Sequence, residues 1–152
     1  MPYDFLLKDI NSVLTCKSIG TDKGLAKIGD GVVNLTYSIA KSIFLTKVND
    51  HNRNIRTGLK VSKKILAEAL KKADMKKFAK NRADAHDLAD TVEALVAYVW
   101  FCNKMTIEEI VDCLVVSLSG DLNNRSEEIQ SATKAFTKLL LHIKKLLPEN
   151  LV

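Results

Sequence analysis

Residues 88–101, LADTVEALVAYVWF, limit the possible fold more than any other stretch. A helix drawn through them is apolar on nearly every face, so it needs cover from several directions at once. It is too short to cross a bilayer, and no run of about 18 uncharged apolar residues occurs anywhere in the chain. Residues 24–46 make the same demand, with Leu25, Ile28, Val32, Val33, Leu35, Ile39, Ile43 and Phe44 spread over a wide surface. Both segments read as central helices. A chain of 152 residues, 47% hydrophobic, supplies one domain with a core and leaves little space for a second.

The flanking sequence is helical as well. Six glycines, two prolines and no useful period-2 alternation predict an all-α class without strands. A first helix is expected over 3–16, with Phe5, Leu6, Ile10, Val13 and Leu14 on one face, and KSIGTDKG reads as the loop after it. NDHNRNIRTG breaks the pattern with turn formers and charges and has the length for a short helix. In 60–73, Val61, Ile65, Leu66, Ala69 and Leu70 point inward and Lys60, Lys63, Lys64, Lys71 and Lys72 outward. MKKFAKNRADAHD reads as a polar connection. Thr106 stands three residues before Glu109, the spacing of a capping box, and starts the next helix. The last helix spans 126–147 and Pro148 closes it. Acids in the first ten residues do not fit a signal peptide, and Cys16, Cys102 and Cys113 are odd in number without metal-ligand spacing. Free buried thiols in a soluble cytoplasmic protein are the expectation.

Three carboxylates stand in the two central helices. Asp90 and Glu93, three residues apart, share one helix face. Asp30 lies in the other helix between Gly29 and Gly31, each of which costs about 1 kcal/mol in a helix interior and points to a close approach by a second helix. Desolvating an ionised carboxylate costs several kcal/mol unless it is paired. A divalent ion or a local lysine can answer that need, and spacing alone does not choose between them. The net charge of +5 is concentrated between Lys41 and Arg82, which favours a polyanion partner, while 6% aromatic content argues against base stacking as the binding mode.

LAKIGDGVVN resembles the first motif of the ribonuclease III family, and LADTVEALVAYVWF resembles its second, Asp-x-x-Glu-Ala-Leu followed by apolar residues. Order, separation and the intervening GLKVSKKILAEAL agree over about residues 20–118, leaving the helix at 126–147 outside that region. The wording is closest to the compact Mini-III branch, which lacks an attached double-stranded-RNA-binding domain. The resemblance implies an all-α endonuclease domain spanning residues 1–152, with Asp30, Asp90 and Glu93 as catalytic metal ligands. One position departs: the main branch has a glutamate four residues before the first aspartate, where this chain has Ala26 between Lys23 and Lys27. Mini-III enzymes also lack that glutamate but, unlike this chain, lack the aspartate matching Asp90.

The expected function is therefore Mg²⁺-dependent, or Mn²⁺-dependent, hydrolysis of phosphodiester bonds in double-stranded or structured RNA by a homodimer, in RNA processing. Hard oxygen ligands suit either ion. Lys60, Lys63, Lys64, Lys76, Lys77, Lys80 and Arg82 are the candidate RNA-binding residues, since duplex RNA is read mostly by shape and backbone contact. His86 is a candidate substrate or metal contact, with a solvated histidine in a polar loop as the plainer reading. The alternative function is an inactive relative that binds structured RNA or a protein.

Overall fold

Six helices start on a side chain that accepts a hydrogen bond from the backbone N–H three residues further on, the arrangement that relieves an unsatisfied helix N-terminus. A computed structural model describes residues 2–49 and 53–151 and contains, among them, seven α-helices and no strand. They are α1 (Lys8–Ser12), α2 (Cys16–Gly20), α3 (Lys23–Val48), α4 (Lys63–Lys72), α5 (Ala85–Phe101), α6 (Ile107–Ser117) and α7 (Arg125–Leu146). The capping residues are Thr15, Asp22, Ser62, Asp84, Thr106 and Asn124, for α2 to α7 in turn. Thr106 and Glu109 form the expected capping box, and Asp84 with Asp87 forms another that starts α5 three residues before its apolar run.

α5 is the core element. From Leu88 to Phe101 only Asp90 and Trp100 are not fully buried, and α3, α4, α2 and α7 all pack on it. α3 also packs on α6, while α7 covers α4 and α6. No helix among the described residues is long and apolar enough to cross a membrane.

The N-terminal region differs from expectation. Asp4–Leu7 is a 3₁₀ turn and α1 has only five residues. Leu7 and Ile10 are buried, but Phe5, Leu6 and Val13 are exposed. The segment that reads as a loop contains α2, because Thr15 and Ser18 cap each other's backbone and end any continuation of the first helix. Ile19 and Gly20 are the buried residues of α2. A Cβ on Gly20 would overlap the Phe78 carbonyl, and the Gly20 carbonyl accepts from the Thr91 hydroxyl at 2.7 Å. The segment read as a polar connection also enters the core: Met75, Phe78 and Ala79, spaced i, i+3, i+4, are buried around a 3₁₀ turn at Lys76–Phe78.

Residues 53–62 form no helix; residues 50–52 of NDHNRNIRTG lie outside the described residues. This segment runs along α3 in a ladder. The N–H groups of Ile55, Thr57, Leu59 and Val61 donate to the side chains of Thr46, Ser42, Ser38 and Asn34, at 2.9, 3.0, 3.0 and 2.8 Å. Two extended residues advance roughly 6.6 Å and four helical residues roughly 6 Å, so alternate N–H groups meet every fourth side chain of the helix. The polar stripe Asn34, Ser38, Ser42, Thr46 thereby takes the place of a neighbouring strand. α7 is joined to α3 by a second polar contact: buried Glu128 accepts from Tyr37 at 3.0 Å and pairs with Lys41 at 2.7 Å and Arg125 at 3.3 Å.

Candidate active site

Gly29 sets the distance between the two central helices. A Cβ there would overlap the backbone carbonyl of Glu93, so only glycine lets α3 lie this close to α5. Gly31 makes no comparable contact, with open space where its side chain would be. The approach brings Asp30 against Glu93. Their carboxyl groups share a hydrogen bond, and burial together with Asp30 pushes the Glu93 carboxyl up to about 7, with Lys63 opposing the rise. The same hydrogen bond lowers Asp30 despite its partial burial, helped by Lys60, Lys63 and Asn34. The two shifts run in opposite directions, so Glu93 is the acid of the pair that takes up a proton more readily.

Asp90 lies on the Glu93 side of α5, as the shared helix face suggests, with lysines around it. Its Oδ2 lies 2.8 Å from Lys23 Nζ and its Oδ1 3.6 Å from Lys63 Nζ, which is itself 3.0 Å from Glu93 Oε1. Lys23 continues to Asp87 at 3.8 Å, and Lys80 reaches Asp87 at 3.4 Å. Charges thus alternate from Lys80 through Asp87, Lys23, Asp90 and Lys63 to Glu93. Among the described residues no three His, Cys, Asp or Glu side chains are gathered as a group that could hold a metal ion. The ammonium of Lys63 stands between the second-motif acids.

The acids open into a cleft of about 440 Å³ lined by Lys23, Ala26, Lys27, Asp30, Lys60, Lys63, Asp90 and Glu93. Ala26 faces this space where the main branch of the resembled family has a glutamate, and leaves it without a fourth carboxylate. Asn34 orders one wall, donating to Asp30 Oδ1 at 3.2 Å while its Oδ1 accepts from the Val61 N–H.

The candidate RNA-binding residues divide. Lys60 and Lys63 line the acid cleft, and Lys80 lies at its flank beside Asp87. Lys64 is exposed on the first turn of α4, and Arg82 is exposed in the loop before α5 with a positive φ of 56°. Lys76 and Lys77 do not line the cleft, and Lys77 borders a separate hollow with Lys17 and Asn150. His86 sits exposed on the first turn of α5, a helix rather than a polar loop, and does not line the cleft. Lys23, Lys27 and Asn34 are site residues that sequence spacing does not single out. Their only signal is position, since they lie at i−7, i−3 and i+4 from Asp30 on the same helix. The three cysteines are free and half-buried rather than buried, and none lines the cleft.

Fold and cleft together define an all-helical domain with a carboxylate centre set in a basic surface. The family profile of ribonuclease III matches residues 23–149, and the chain belongs to that family. The match extends through α7, and membership implies an endoribonuclease domain whose substrate is RNA. Comparison with individual curated proteins gives no match.

Proposed function

We propose that this protein hydrolyses phosphodiester bonds in double-stranded or structured RNA, with Mg²⁺ or Mn²⁺ held by Asp30, Glu93 and Asp90. The observation that carries this reading is the gathering of Asp30, Asp90 and Glu93 in one lysine-lined cleft. Three carboxylates are the hard oxygen donors these ions select, and the Asp30–Glu93 pair has more acid than its neighbourhood keeps ionised, as the raised Glu93 carboxyl indicates. A bound ion would supply a water of lowered pKa and charge stabilisation at the leaving oxygen. The chain's own residues do the rest. Lys27 and Lys60 draw the phosphate backbone to the cleft, Lys23 and Lys80 hold Asp90 and Asp87 at its edge, and Asn34 fixes the direction of the Asp30 carboxylate.

The acting species is a homodimer formed through α3. Its Ile28, Leu35 and Ile39 share one face and are 39%, 52% and 37% exposed. α5 contributes nothing to this argument, since its apolar surface is already covered within the chain. A C₂ pair would bury the stripe against itself. Sedimentation at micromolar concentration should show a dimer for the native chain and a monomer for Leu35→Lys; a native monomer would remove this part of the reading. Three free cysteines suit a reducing compartment such as the cytoplasm.

The test of activity is incubation of the pure protein with a labelled perfect RNA duplex, with and without Mg²⁺. Cutting should need the ion and should vanish in Asp30→Asn and Glu93→Gln while duplex binding persists. Cutting retained by Glu93→Gln overturns the assignment. Binding without cutting by the native chain selects a non-catalytic RNA-binding domain, the reading that Ala26 favours.

A further inference from the structure

Lys63 is placed where a lysine is unfavourable. It is the first residue of α4, at the positive end of the helix dipole. Its side chain is 33% exposed, and its ammonium is directed at buried Glu93 and half-buried Asp90 rather than at water. The backbone that carries it is held from two sides. Ser62 caps α4, and the Val61 N–H is bound to Asn34, which also holds Asp30. By contrast, Lys27 and Lys60 line the same cleft without an ion pair among the described residues. Of the four cleft lysines, Lys23 pairs with Asp90 at the edge, Lys63 reaches both Asp90 and Glu93, and Lys27 and Lys60 are left to meet a polyanion.

We propose that Lys63 is a tethered cation that holds the divalent-ion position of the acid centre, and that metal loading displaces its ammonium into the open cleft. This rests on the metal-binding reading above. A divalent ion taken up by Glu93 or Asp90 would compete with that ammonium for the same carboxylates, and two like charges held at one pair of acids repel. Displacement removes the repulsion and delivers a positive charge to the cleft, where an RNA phosphate can receive it. Metal and RNA then favour each other's binding, because both favour the displaced lysine.

The experiment measures Mn²⁺ affinity by the electron paramagnetic resonance of free Mn²⁺, for the intact chain and for Lys63→Gln, Lys27→Gln and Glu93→Gln. Lys63→Gln should bind Mn²⁺ about tenfold or more tightly than the native chain, and Lys27→Gln should differ from it by less than about threefold. Glu93→Gln should lose the site. A second readout uses the native chain alone: acetylation of Lys63 by an amine reagent, followed by mass spectrometry, should rise as Mn²⁺ saturates while that of Lys27 stays constant. Equal effects of the two lysine substitutions, or unchanged Lys63 labelling at saturation, overturn the tethered-cation role while leaving a Glu93-dependent metal site standing. No Glu93-dependent Mn²⁺ binding in either the native chain or Lys63→Gln overturns the metal-binding reading and this proposal with it.

Discussion

Two glycines that flank one aspartate have opposite consequences. At Gly29 a methyl group meets the Glu93 backbone, which a packed interior can accommodate only by moving α3 away from α5. Gly29→Ala should destabilise the protein by about 3 kcal/mol. Gly31 is exposed with free space around it, so Gly31→Ala should stabilise by up to about 1 kcal/mol. Urea denaturation of both variants checks the pair, and equal effects would contradict the assigned contact. Glu93 has a pH signature in the metal-free protein. Its carboxyl is raised from 4.5 to about 7, so between those values the native state keeps a proton that the unfolded chain releases. The stability it contributes is present below about 4.5 and lost as pH rises through about 7. Asp30 is lowered from 3.8, so its contribution is present above that value and lost as pH falls through the lower native one. Urea midpoints should therefore decline between about pH 4.5 and 7 for the native chain, and Glu93→Gln should flatten that decline; a shared slope would rule out Glu93 as its source.

At the scale of elements, the ladder between α3 and residues 55–61 does the work of a missing strand. It joins Asp30, through Asn34, to the start of α4, and so sets Lys63 against Glu93. The rungs are not equivalent. Asn34 satisfies the N–H of buried Val61, whereas Ser42 serves exposed Thr57, whose N–H can turn to water. Asn34→Ala should accordingly cost about 2 kcal/mol and Ser42→Ala about 0.5 kcal/mol, measured by chemical denaturation. Comparable losses would mean that burial does not distinguish the rungs.

Across the whole molecule, the basic excess is sorted by the fold into paired and unpaired lysines. Lys23, Lys63 and Lys80 are engaged with carboxylates, and Lys27 and Lys60 face the cleft without such partners among the described residues. Each phosphate neutralised adds about 0.9 to the slope of log affinity against log salt on B-DNA, with a similar sense on duplex RNA. Replacing Lys27 and Lys60 by alanine should make the duplex-RNA slope shallower by roughly 2, while Lys76 and Lys77, away from the cleft, should change it less. Fluorescence binding titrations over a salt series decide this, and a steeper loss from Lys76 and Lys77 would move the RNA to the other face.

Much of this architecture is local and so was legible in the chain. Caps such as Thr106 with Glu109 act over three residues, and apolar periodicity states which face a helix must hide, so α3, α4, α5, α6 and α7 were readable from neighbouring residues alone. The acids Asp30, Asp90 and Glu93 were readable because charge inside an apolar helix demands compensation. The compensating partner was decided by tertiary structure. Lys63 meets Glu93 across 30 residues, Lys23 meets Asp90 across 67, and Tyr37 meets Glu128 across 91. Such contacts depend on how closely helices approach and at what rotation, and a single glycine sets that approach for the acid centre. The small helix α2 was hidden for a related reason: its stability comes from two residues packed against distant elements, not from a periodic face of its own.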